Sequence, residues 1–191
     1  MKKENIIQFV GFITQLNFTE FEPQWEEYTR QIVKSSGARL LQCQERSANG
    51  LKYISQHELH ETGFFFNFMK ERKSGHFPDQ EVKVVQAGGY SPLRVSPHLS
   101  KTRNNVSVIA FLGHGEKNIS SCFDLVGADQ PDIYQAYFEN CAYGHILELS
   151  TSFSEATSLV EQLKNEYGVE AAIYEECKVP KLKPILYNSI A

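Results

Sequence analysis

The chain has 191 residues, a mass of 21.8 kDa and a formal net charge of −4. That length holds one medium domain or two small ones, and 41% apolar against 22% charged residues is too hydrophobic for a disordered chain. With 19 Lys and Arg, 23 Asp and Glu and no long basic run, nucleic acid is not an expected partner, and no run approaches the roughly 18 apolar residues that cross a bilayer.

In chain order, Ile6 to Thr14 are mostly β-branched or aromatic and read as a strand; Gln8, Gln15 and Asn17 interrupt the run too often for a leader peptide. Phe21, Trp25, Tyr28 and Ile32 then fall on one helical stripe, predicting a helix over about 20–35 with Thr19 and Glu22 as its capping box. Two strand-like runs around Asn49-Gly50 predict a hairpin. Phe64, Phe65, Phe68 and Met69 predict a second helix, and Glu81 to Ala87 a further strand. The order β-α-β-β-α-β is that of a ferredoxin-like unit.

Residues 89–104, with Pro92, Pro97 and no acid, have linker composition, and Gly88-Gly89-Tyr90 reads as a turn. Val106 to Leu112 and Ile119 to Val126 predict a hairpin about Gly113-His114-Gly115, followed by a short helix over Pro131 to Asn140. Tyr143 to Leu149 reads as a strand. Ser152 and Glu155 open a helix that stops at Gly168, before a strand over Val169 to Tyr174. The expected organisation is a first unit over 1–88, a linker over 89–104, a diverged second unit over 105–177 and an extended tail over 178–191. The fold class is α+β, two ferredoxin-like units with antiparallel sheets. Up to Arg103 the chain carries 14 basic and 11 acidic residues, and beyond it 5 and 12, so the halves bear opposite charge.

The stretch from Gly37 to Met69 resembles the dimeric α/β-barrel proteins, among them the antibiotic-biosynthesis monooxygenase and EthD-like groups. Ser36-Gly37-Ala38-Arg39-Leu40-Leu41, the Asn49-Gly50 turn and Tyr53 to Glu61 carry the resemblance, with Leu59 standing where an aromatic residue is usual. It implies two four-stranded sheets meeting as a barrel, with a ligand cleft between sheet and helices. Such barrels usually form between two chains. One chain with two units would build the barrel internally, as a monomer with an internal pseudo-dimer, or it would form a homodimer. Functions in the group run from cofactor-free oxygenation through haem chemistry to isomerisation and ligand sensing, so function has to come from the site.

His57 and His60, flanked by Glu58 and Glu61, are the densest titratable group, and His57 is the candidate proton acceptor or cleft-lining residue, an exposed corner being the alternative. His114 lies between two glycines, in a turn or projecting from it, and His145 lies on an apolar strand face, in the core or facing a pocket. Uncharged polar residues within strands, among them Gln8, Gln42, Ser55, Gln56 and Gln86, suit a semi-polar cavity or an open wet face; Gln8, Gln42, Tyr53 and Ser55 join His114 and His145 as candidate ligand contacts. The four cysteines, at 43, 122, 141 and 177, have no metal-ligand spacing and read as buried thiols in a reduced, cytoplasmic setting. No phosphate-binding glycine motif or nucleophile motif is present, and neither a metal nor a cofactor is predicted. Two functions fit. One is a binding or interaction module for a small apolar or aromatic molecule; the other is a cofactor-free monooxygenase or isomerase using a histidine as proton acceptor.

Overall fold

The structure, a computed structural model, describes residues 6–32, 38–45, 47–59, 81–94, 106–115 and 131–178. Among them are eight strands and two helices: β1 (Ile6–Ile13), α1 (Phe18–Ile32), β2 (Ala38–Cys43), β3 (Tyr53–Leu59), β4 (Lys83–Arg94), β5 (Val106–Leu112), β6 (Asp132–Ala136), β7 (His145–Thr151), α2 (Phe153–Tyr167) and β8 (Glu170–Glu176). The strands close into an antiparallel barrel in the order β1-β3-β2-β8-β5-β7-β6-β4. Numbered within each half, both four-stranded sheets run 4-1-3-2, the ferredoxin-like order. The sheets join at two seams, β2 with β8 and β4 with β6, each pairing the second strand of one half with the fourth of the other.

Strand alternation divides the apolar side chains into an interior and two exterior cores. Phe9, Ile54, Tyr90, Ile109, Phe111, Tyr134 and Ile146 point into the barrel, where Phe9 meets Tyr90 and Tyr134 edge to face, at 5.5 and 5.1 Å between ring centroids. Outside the first half-sheet, α1 covers Ile6, Val10, Phe12, Leu40 and Tyr53 with Phe21, Trp25 and Tyr28. Outside the second, α2 covers Val108, Ala110, Leu112, Leu147 and Ile173 with Ala156 and Leu163. β5 is buried along its whole length because both of its faces meet a core.

Several elements differ from the sequence reading. α1 starts two residues earlier than expected. The side chain of Asn17 accepts the Glu20 N–H at 3.1 Å and Glu20 accepts the Asn17 N–H at 2.9 Å, so the capping box is Asn17–Glu20 rather than Thr19–Glu22. The residues read as a helix over 131–140 instead supply β6. That strand covers the free edges of β4 and β7, and its pairing overrides the local helical preference. β5 has no edge left for a hairpin with 119–126, since β7 and β8 occupy both. Residues 89–94, read as the start of a linker, continue β4, and Gly88-Gly89-Tyr90 lies within that strand rather than in a turn. The expected helix over 64–75, the segment 119–126, Cys122 and the tail beyond Lys178 lie outside the described residues. The Asn49-Gly50 turn forms, with Gly50 at φ +73°, and α2 opens on the Ser152–Glu155 box and ends on Gly168 at φ +65°.

Gly88 marks the place where β4 slips one residue against β1 between Phe9 and Val10, with φ +115°. A side chain there would meet the Cys141 sulfur at 2.5 Å. Gly88→Ala therefore combines a disfavoured backbone with overpacking, and it should lower stability by about 2–4 kcal/mol, read as a fall in the urea midpoint. An unchanged midpoint would mean that the bulge relaxes freely.

Candidate functional site

The face of the first half-sheet that α1 covers holds an unusual row of polar groups. α1 returns antiparallel to β1 and therefore runs along β3. Phe21 stacks on Tyr53 with centroids 4.2 Å apart, and one helical turn later Trp25 Nε1 donates to Ser55 Oγ at 2.9 Å. Four helix residues advance about 6 Å and two strand residues about 6.7 Å, so the same register would bring Thr29 toward His57. Directly across the ladder from His57 stands Gln8 of β1, its side chain on the same face. Gln8, Ser55 and His57 are fully buried and Thr29 is 2% exposed.

The hydrogen bonds of this row can be assigned by counting protons. Ser55 Oγ accepts from Trp25 and lies 2.6 Å from His57 Nε2. Its single proton is best used on that nitrogen, which places the imidazole proton on Nδ1. Among the described residues Nδ1 then has no partner, and nor has either amide atom of Gln8 or the hydroxyl of Thr29. Burial drives the His57 pKa down to about 3, so the ring is neutral at ordinary pH. The row therefore offers one fixed N–H donor, one amide able to donate and accept, and one hydroxyl, set among aromatic walls.

Of the other sequence candidates, Tyr53 belongs to the same face and donates its hydroxyl to the Leu16 carbonyl at 3.3 Å. Gln42 is half-buried on β2, opposite Tyr53 on one side and Glu175 on the other. His114 and His145 belong to the second half and are not brought to His57. His114 Nε2 donates to the Cys141 carbonyl at 2.8 Å, and His145, opposite Leu112, is held below the usual histidine range by burial and by its neighbour His114. His60, with the rest of 60–80, and the side chain of Gln86 lie outside the described residues.

Sequence reasoning missed the second polar group, inside the barrel. Arg39 of β2 reaches Glu148 Oε1 at 2.6 Å, Glu176 at 2.8 Å, Gln56 at 3.0 Å and Ser107 at 3.3 Å. Gln56 and Ser107 also donate to Glu148, each at 3.0 Å. Burial alone would lower the Arg39 pKa, but the charges of Glu148 and Glu176 outweigh it and hold the guanidinium above its ordinary value. Both Glu148 oxygens are bonded, so this network is closed and ties β3, β2, β8, β5 and β7 across one seam. The available signal was a lone Glu in the apolar run His145 to Leu149, on an inward-facing position. Among the described residues no three His, Cys, Asp or Glu side chains converge to hold a metal ion.

No protein-family model matches the chain, and no curated protein matches it in sequence. Solved structures do match along most of its length. A putative monooxygenase from Fusobacterium nucleatum subsp. nucleatum shares 11% identity at a TM-score of 0.52, covering 97% of this chain and 98% of that one. An anthrone oxidase-like protein shares 9% at 0.51, covering 94% of each. The chain has the dimeric α/β-barrel fold. Chlorite dismutase from Candidatus Nitrospira defluvii, in complex with imidazole, aligns to the same α/β barrel at 10% identity and a TM-score of 0.51, covering 92% of each chain. Identities this low show the fold alone, so the residues of this barrel have to carry the function. No helix among its described residues is long and apolar enough to cross a membrane.

Two tests follow from the two polar groups. The unfolded chain takes up a proton at His57 near pH 6.5, whereas the folded chain resists until about pH 3. Stability should therefore be lost as pH falls through this window, by up to about 1.4 kcal/mol per unit from this residue. His57→Leu should flatten the slope of unfolding free energy against pH by one proton, and an unchanged slope would refute the neutral buried ring. Within the network, Glu148→Leu should cost about 3–5 kcal/mol by taking the acceptor from Gln56 and Ser107 and leaving Arg39 with the Glu176 carboxylate alone, while the double change Arg39→Met with Glu148→Leu should cost less than that single change. Additive losses in a denaturation cycle would show that the two side chains act independently.

Proposed function

We propose that the chain is a small-molecule-binding α/β barrel whose ligand sits against the first half-sheet, beside α1, over Gln8 and His57. One observation carries this reading: two fully buried side chains on facing strand positions, Gln8 and His57, present polar atoms that no described residue satisfies. Each such atom costs about 1–3 kcal/mol, a penalty that a bound molecule relieves. The preferred guest is a small neutral aromatic or apolar molecule with one acceptor for His57 Nδ1 and a polar group for Gln8. The stacked Phe21 and Tyr53 continue the aromatic wall beyond Trp25.

The alternative, a cofactor-free monooxygenase or isomerase, needs His57 as proton acceptor. The Trp25–Ser55–His57 chain works against that role, because it commits the lone pair of Nε2 to Ser55 and leaves a buried N–H at Nδ1. A ring with its pKa at about 3 is also a weak base. Binding through a fixed donor fits the same geometry without a tautomer change.

Gln8→Leu separates binding from a purely structural role. It removes an unsatisfied amide at nearly constant volume, so the free protein should gain about 1–3 kcal/mol, a rise in Tm of several degrees. The same change should abolish the thermal shift that 1-naphthol or catechol gives the wild-type chain. Native mass spectrometry of the purified protein then reports any retained organic molecule by its mass. A Gln8→Leu protein that is less stable and responds to these phenols like the wild type would overturn the proposal.

A further inference from the structure

A second set of unsatisfied buried groups lies inside the barrel, beneath the turn that joins β2 to β3, and it is separate from the row under α1. Tyr174 of β8 points inward and is fully buried, and its hydroxyl makes no close hydrogen bond to a described residue; the polar side chain beside it is Ser47. Ser47 gives its own proton to the Leu51 carbonyl at 2.8 Å, so toward Tyr174 it acts only as an acceptor. Glu170, four residues earlier on the same face of β8 and opposite Phe111, is hydrogen-bonded by the Asn49 backbone N–H, and one of its carboxylate oxygens is buried without a partner among the described residues. Among the described residues the ion pairs join Arg39 to Glu148 and Glu176, and none serves Glu170.

Tyr143 completes the group. The Asn49 carbonyl oxygen accepts from the Leu51 N–H at 3.2 Å, which turns its amide nitrogen toward the Tyr143 oxygen at 3.4 Å. Tyr143 thus receives a hydrogen bond and keeps its own proton to donate. Its ring leans on Phe111 with centroids 4.7 Å apart. Burial pushes Glu170 above the ordinary carboxylate range, and burial followed by the charges of nearby groups, Glu170 among them, pushes Tyr174 well above the ordinary phenol range. The group presents a carboxylate with no counter-charge among the described residues, two phenols and an aromatic wall.

We propose that this end of the barrel is a site for a small organic amine, bound as its ammonium by Glu170 and the Tyr143 and Tyr174 oxygens against the ring of Phe111. Charge and chemistry select the class. A carboxylate acceptor excludes an anionic guest, aromatic faces attract a cation, and the hydroxyl oxygens take the remaining ammonium protons. A neutral molecule of the same shape can give the Glu170 oxygen a hydrogen bond but no compensating charge, and so loses most of the affinity.

The test is a calorimetric titration of the full chain with benzylamine and methylammonium at pH 7, with benzyl alcohol as the neutral counterpart. Benzylamine is expected to bind at least tenfold more tightly than benzyl alcohol. Glu170→Gln, which keeps the shape and removes the charge, should weaken benzylamine at least tenfold and leave benzyl alcohol unchanged. Tyr174→Phe, which removes only the hydroxyl, should weaken it severalfold, and circular dichroism confirms that both variants fold. Gln8→Leu should bind benzylamine as the wild type does, so the fate of this site is read independently of the one under α1. Binding of neither amine, equal binding of amine and alcohol, or an undiminished affinity in Glu170→Gln would each refute the proposal.

Discussion

A four-stranded sheet has two edges of unpaired backbone N–H and C=O groups, and this chain disposes of all four edges by joining its two sheets at both ends. Everything else answers to that closure. It fixes which residues point inward, because a slip of one position at either seam would exchange the interior with the helix-covered faces. The β2–β8 seam is short, pairing Leu41 to Cys43 with Tyr174 to Glu176, with one backbone hydrogen bond beyond each end, from Cys177 N–H to Leu40 and from Gln44 N–H to Ile173. Arg39 extends it by side chain where the backbone ladder ends, gripping β8 through Glu176 and β7 through Glu148. The other seam, β4 with β6, carries an irregularity between Pro92 and Arg94 and depends on a five-residue strand.

Closure also explains what the sequence conveyed and what it concealed. Local signals were legible where local chemistry decides: the Asn49-Gly50 turn, the Ser152–Glu155 cap, the glycine that ends α2, and the Phe21–Trp25–Tyr28 stripe that seats α1. They failed where pairing decides. Pro131 to Asn140 has the residues of a short helix, yet Tyr134 is needed inside the barrel and Ile133 outside it, and only a strand delivers both. The continuation of β4 through two glycines and a proline was hidden for the same reason, since its partner lies some 40 residues on.

The candidate site was legible residue by residue but not as an arrangement. Gln8, Ser55 and His57 stand out as polar residues in strands, but their meeting depends on the β1–β3 register and on where α1 lies. Thr29 carried no signal of its own. Arg39 and Glu148 are 109 positions apart, and only the barrel shows that they share one interior. The two groups behave oppositely: the Arg39 network is saturated and ties five strands together, whereas the row at His57 keeps buried polar atoms unsatisfied among the described residues, at the expense of stability.

Among the described residues the other half has no matching row. The corresponding outward stripes of β5 and β7, bounded by His145 and Thr151, pack Val108, Ala110 and Leu147 against α2. In a barrel assembled from two copies of one chain, any substitution is made twice, and a costly polar pocket is carried in duplicate. Two units on one chain remove that symmetry. One half is free to keep unsatisfied polar groups while the other packs an apolar core against its helix.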